Sequence, residues 1–278
     1  MSIIVFTSLT GSPGTTTSAV AATVNWHRPA LLLEADTSKT SSILPGLLRG
    51  EVDHSTGLSP LSLLQQRGEL TAQSLLDQSV MLAEERYLVP GFNNSIAGLG
   101  TTSLWGALGT ALAGMEAAGI DVLIDLGRLS PTDPRTPLLQ IADSVLVTIR
   151  TVLPDVFAAD SRIAGLRAIL AGAGHESHMS LWLIGGTVET YSSKEIHAVL
   201  GVPVIAELPN DPKGAAVYSL GTRSDSARGI LGKLGGADRS PFLRSIRSGI
   251  ANLTQQIQKQ QDQLALRPAT TAFEGATP

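Results

Sequence analysis

Thr10-Gly11-Ser12-Pro13-Gly14-Thr15-Thr16-Thr17 lies between an apolar run, Ile3 to Thr7, and a run rich in Ala and Val, Thr15 to Trp26. The first run reads as a buried strand and the second as a helix, so the octamer is a strand-to-helix turn. Glycines at 11 and 14 let backbone N–H groups wrap an anion, and the N-terminus of the following helix adds its dipole and its unpaired N–H groups. A hydroxyl directly after the last glycine can reach a magnesium ion. Taken without its surroundings, the octamer reads equally well as a tight Gly/Pro turn whose threonines cap the helix.

The rest of the chain repeats the strand-and-helix alternation. Ala30 to Glu34, Arg86 to Pro90, Asp121 to Leu126, Ser144 to Ile149, Ser180 to Ile184 and Pro203 to Leu208 read as further strands. Leu61 to Gln66, Leu70 to Leu82, Ser103 to Ala118, Val156 to Ala173, Ser193 to Leu200 and Phe242 to Leu264 carry helical patterns. Strands that are apolar on both faces and separated by helices imply a mostly parallel central sheet covered on both sides, an α/β fold. Residues 220–240, rich in Gly, Ser and Arg, read as a loop, and residues 266–278 as a flexible tail. No linker divides the chain, so residues 1–265, with the long helix 242–264, are expected to form one domain.

Composition narrows the function. With 278 residues, 43% of them apolar and only 16% charged, the chain is suited to a large core and not to a disordered polymer. It has no cysteine, which excludes disulfides, thiolate metal sites and a cysteine nucleophile. A net charge of −4 argues against phosphate-backbone binding by the surface as a whole. The opening residues lack the basic region of a signal peptide, and no apolar run approaches the ~20 residues of a membrane span. The expected location is the cytoplasm, with peripheral attachment to the inner face of a membrane as the alternative.

Acidic residues mark the ends of two strands. Leu33-Glu34-Ala35-Asp36 closes the second strand and Ile124-Asp125-Leu126-Gly127-Arg128 the run that begins at Asp121. An α/β sheet assembles its ligand site at the carboxyl ends of its strands. There Asp125 can hold Mg²⁺ through a water, and Glu34 and Asp36 can orient an attacking water; loop capping is the competing reading for each. These stretches, in this order with Tyr191 to Ile196, Leu200-Gly-Val-Pro-Val204 and Leu208-Pro-Asn-Asp-Pro-Lys213, make the chain resemble the ParA/MinD group of deviant Walker-type P-loop ATPases over about residues 2–255. The resemblance implies a three-layer P-loop NTPase-like fold, with ATP and Mg²⁺ as cofactors. It matches Gly11, Ser12, Pro13, Gly14, Thr15, Thr16 and Thr17 to the phosphate loop. Thr16, Asp36 and Asp125 fall at the metal positions, and Glu34 and Asp36 at the acidic pair that acts in hydrolysis. Asn210, Asp211 and Pro212 match the loop beside the base.

The departures are as informative as the matches. The group's loop reads Lys-Gly-Gly-x-Gly-Lys-Thr-Thr, and here both lysine positions are threonine, Thr10 and Thr15. A lysine beside a triphosphate makes charge-assisted hydrogen bonds of roughly 1.5–3 kcal/mol each, so losing two weakens binding and hydrolysis alike. The asparagine that the group uses beside adenine is replaced by Gly185-Gly186. Four cations are candidates to compensate: Lys39, Arg128, Arg150 and Lys213, with Arg128 the first choice because a strand-end turn aims it toward the loop.

The expected function is therefore a degenerate ParA/MinD-like scaffold or spatial organiser, serving partitioning or the positioning of a pilus or secretion machine, with weak or absent ATP hydrolysis. The alternative is an active ATPase switch that dimerises on Mg-ATP. A protein component of such a machine is the expected partner, and a homodimer follows from the resemblance. Phe242, Ile246, Ile250, Leu253 and Ile257 form an apolar stripe that reads first as core and second as a membrane or partner surface. Arg223, Arg228, Arg239, Arg244 and Arg247 are the weak case for DNA binding. His175 and His178 lack a third ligand and make a poor metal site.

Overall fold

The computed structural model describes residues 1–94, 101–222 and 240–265. The arginines 223, 228 and 239, most of the expected loop at 220–240, and the tail 266–278 lie outside the described residues.

Eight strands form one sheet: β1 (Ile3–Ser8), β2 (Ala30–Glu34), β3 (Val80–Ala83), β4 (Arg86–Val89), β5 (Asp121–Arg128), β6 (Ser144–Arg150), β7 (Met179–Ile184) and β8 (Val204–Leu208). Their order is β3-β4-β2-β5-β1-β6-β7-β8. Every pair is parallel except the edge hairpin β3–β4. The expected parallel sheet is present, with one edge strand missed. Val80 to Ala83 had read as the end of a helix from Leu70 to Leu82, and that segment holds only a short helix, Ala72–Asp77, before the chain extends. Four alternating residues against β4 give too weak a period to tell strand from helix.

Among the described residues the α-helices are α1 (Thr15–Val24), α2 (Leu58–Gln66), α3 (Ala72–Asp77), α4 (Thr102–Ala113), α5 (Thr136–Gln140), α6 (Leu153–Gly172), α7 (Ser193–Leu200), α8 (Pro212–Ser219) and α9 (Pro241–Ala265). Side chains alternate across each strand, so the sheet feeds two cores. Ile3, Val5, Leu31, Leu33, Ile124 and Val147 join the core that includes α4, α5 and α6 residues. Ile4, Phe6, Leu32, Leu146 and Trp182 join the other, beneath α1 and α9. The result is three layers.

The stripe on α9 belongs to that second core. Phe242, Ile246, Ile250, Leu253 and Ile257 are all buried, so they are not available to a membrane or a partner. Gly249 lets the helix lie directly on the sheet, where a Cβ would meet Ala206 at 2.7 Å and the Trp182 ring at 2.8 Å. No helix among the described residues is long and apolar enough to cross a membrane.

Candidate functional site

The strand register sets the site. Phe6 of β1 and Glu34 of β2 both stand beside Asp125 of β5; β2 stops there, while β1 and β5 run on side by side to Ser8 and Arg128. The turn after β1 bends back over these ends. Gly11 and Gly14 carry it, with φ values of 50° and 103°, the left-handed region that favours glycine. Gly14 is the N-cap of α1 and supplies no side-chain oxygen, so the first N–H groups of the helix have no cap from this residue.

A cavity of about 400 Å³ opens at that point. Gly11, Ser12, Gly14, Thr15, Thr16 and Thr17 line it on the turn side, Asp36, Ser38 and Lys39 on the β2 side, and Gly127 and Arg128 on the β5 side. The Thr15 hydroxyl is buried there without a hydrogen-bond partner. Two arginines fix the turn from outside: Arg162 donates to the Leu9 and Leu129 carbonyls, and Arg150 to the Ser12 carbonyl at 3.0 Å. Arg150 is thereby a brace of the loop.

Asp125 is fully buried. Its Oδ1 accepts the Gly127 N–H at 2.9 Å, while Oδ2 has no partner. Burial pushes its carboxyl up to about 6; the Thr16 hydroxyl and the Gly127 N–H pull the other way, and nearby Asp36 and Glu34 add to the rise. Gly127 has φ 57°, and a Cβ there would collide with the Asp36 carboxylate at 2.3 Å. That close approach is what lets Asp36 lie across the end of β5. The orphaned Asp125 oxygen, the Asp36 carboxylate and the Thr16 hydroxyl are hard donors that fit Mg²⁺.

Asp36 is buried and already engaged. Its Oδ1 accepts from the Ser38 N–H at 2.9 Å and the Ser38 hydroxyl at 2.6 Å. Its Oδ2 lies 3.6 Å from the Lys39 ammonium, which also donates to the Thr16 hydroxyl at 3.3 Å. Among the four candidate cations, Lys39 and Arg128 line the cavity, Arg150 braces the loop, and Lys213 lies outside the cavity wall on α8.

Two groups of expected site residues have other partners. Glu34 is outside the cavity lining. Its carboxylate accepts from the Ser41 hydroxyl, the Ser42 N–H at 2.8 Å and the Gly91 N–H at 3.1 Å, tying two loops to the end of β2. The extra methylene relative to Asp is what reaches them. Asn210, Asp211 and Pro212 do not line the cavity. Asp211 accepts the Gly214 N–H at 2.9 Å as the N-cap of α8, with Pro212 in its first turn, and it is the far end of that helix, Tyr218 and Ser219, that meets the cavity. Gly185 and Gly186 are packing residues: a Cβ on Gly186 would strike Val152 at 2.6 Å and Thr190 at 2.9 Å.

Sequence reasoning missed Arg135. This buried guanidinium pairs with Asp133 at 2.7 Å and donates to the carbonyls of Ala35, Leu126 and Arg128, stapling the ends of β2 and β5. Its only signal is the Asp133-Pro-Arg135 spacing after β5, which reads as an ordinary loop.

A strand, a glycine turn over a helix N-terminus, and acids at neighbouring strand ends define a P-loop nucleoside triphosphatase fold. No family model and no curated protein matches the sequence. Solved structures do. A ParA family ATPase from Chlorobium tepidum is 15% identical, aligning over 90% of this chain and 97% of its own, with a TM-score of 0.66. The MinC:MinD cell-division complex of Aquifex aeolicus is matched at 15% identity, 92% and 96% coverage and a TM-score of 0.62. The septum site-determining protein MinD of Pyrococcus horikoshii, complexed with Mg-ADP, gives 14%, 95% and 97%, and 0.62. The chain has the fold of the ParA/MinD ATPases.

Proposed function

We propose that this chain is a spatial-organising protein on the ParA/MinD fold that holds a nucleotide at the 10–17 turn, turns it over slowly or not at all, and acts by docking a protein partner. One observation carries the reading. The 10–17 turn, with left-handed glycines at 11 and 14, lines an open cavity, while the lysine positions are Thr10 and Thr15 and Glu34 is tied into hydrogen bonds with Ser41, Ser42 and Gly91. The glycine turn over its cavity supports binding; missing charge removes the stabilisation a transferring phosphoryl group needs. Mg²⁺, if bound, would be held by Thr16, Asp36 and Asp125, and would supply charge neutralisation at the phosphates.

The matched structures include partition and cell-division proteins, which supports a partition component as the partner, and the positioning of a pilus or secretion machine rests on the sequence resemblance alone. Calorimetry with ATP and ADP, paired with a phosphate-release assay, tests the reading. Micromolar binding with negligible turnover is expected. Turnover at rates of active ATPases would favour the alternative, an ATP-dependent dimerising switch, for which the orphaned Asp125 oxygen is the supporting observation.

A further inference from the structure

The turn at 10–17 lacks a lysine, yet its cavity does not lack an ammonium group. Lys39 reaches in from the loop after β2 and lies between two of the three metal-type oxygens, 3.3 Å from the Thr16 hydroxyl and 3.6 Å from Asp36 Oδ2. Its side chain keeps 42% of its surface exposed, so it is anchored at the tip and still free to shift toward a bound anion. The helix N-terminus is not the only feature that asks for a ligand. The Thr15 hydroxyl, on a residue 5% exposed, lines the cavity with no partner, and the Oδ2 of fully buried Asp125 has none either.

We propose that Lys39 is the resident cation of this cavity: anchored by Asp36 and Thr16, its ammonium group does the work of both the missing loop lysine and the metal, so that the phosphate end of a nucleoside triphosphate binds without magnesium. The electrostatics support this assignment. Asp36 lines the cavity, with fully buried Asp125 close enough to interact with it electrostatically, and an incoming polyphosphate meets negative charge there unless a cation lies between. The Lys39 ammonium already lies against Asp36. A divalent ion entering the same oxygens must displace it, so metal and lysine compete. Arg128, exposed at the rim, adds charge but makes no contact with the metal-type oxygens.

The assignment rests on the reading that the cavity takes a nucleotide, and the experiment separates the two. ATP is titrated calorimetrically into the full chain, in excess EDTA and in excess magnesium, for the wild type and for Lys39→Met, which keeps the aliphatic stem. Wild-type affinity is expected to be within about threefold in the two buffers. Lys39→Met is expected to lose about tenfold or more in EDTA, the worth of one charge-assisted hydrogen bond, and to regain part of it with magnesium, because the metal then enters vacated oxygens. Arg128→Met serves as a control for rim charge and should weaken both conditions equally. Binding that requires magnesium and ignores Lys39→Met overturns the lysine assignment and leaves the nucleotide reading standing. No binding by either protein in either buffer overturns the nucleotide reading and this inference with it.

Discussion

Asp125 stands fully buried with one oxygen unpaired, and its carboxyl is raised from 3.8 to about 6 mainly by burial. Between those values the folded chain holds a proton that the unfolded chain releases, so folding stability falls as pH rises through the window. Above about 6 the penalty is fully present, on the order of 3 kcal/mol for a shift of about two units. Asp125→Asn keeps the oxygen that accepts the Gly127 N–H and removes the charge. It should melt higher than wild type at pH 7.5, with the difference shrinking toward pH 4.5; equal melting at both pH values would contradict the burial argument. Glu34 offers the opposite test. Glu34→Asp keeps the charge, but its shorter arm leaves the Ser41, Ser42 and Gly91 donors unsatisfied. A loss of about 1–3 kcal/mol is expected in urea denaturation, with no gain in phosphate release. A gain in release would return Glu34 to the catalytic role expected from the sequence.

Among the elements, α9 illustrates how an amphipathic stripe is assigned. Its residues satisfy a membrane helix and a core helix equally in sequence, because both need apolar side chains at three- and four-residue spacing. The sheet settles the matter by offering Trp182, whose ring packs edge-on against Phe6 at 5.3 Å, and the flat spot at Ala206 under Gly249. Ile246→Ala should therefore cost about 2–4 kcal/mol by chemical denaturation, the range of a buried large-to-small change. If stability is unchanged, α9 is not part of the core in solution. The edge hairpin was legible only in half. The run from Arg86 to Pro90 is apolar enough to read as a strand, whereas Val80 to Ala83, with Met81 exposed, has no face that a period could reveal.

For the molecule as a whole, the question is whether nucleotide changes its assembly. A switch of the ParA/MinD type needs a triphosphate that favours the dimer over the monomer. With threonine at both lysine positions of the loop, Thr10 and Thr15, nucleotide is expected to do little to favour it. Light scattering coupled to gel filtration should give the same mass with and without ATP; a doubling on ATP would favour the dimerising switch over the scaffold.

Read along the chain alone, the turn at 10–17, the alternation of apolar strands and helices, and the acids at strand ends were enough to place this protein in a three-layer α/β fold. Those signals are local: each depends on residues a few positions apart, and backbone sterics and periodic burial act at that range. What each charged group does was settled elsewhere. Glu34 holds two loops, Arg135 staples two strands and Lys39 enters the cavity because of neighbours brought from as far as a hundred positions away. A carboxylate or guanidinium takes its role from whichever donors and acceptors surround it once water is excluded, and those partners meet only when the sheet has assembled.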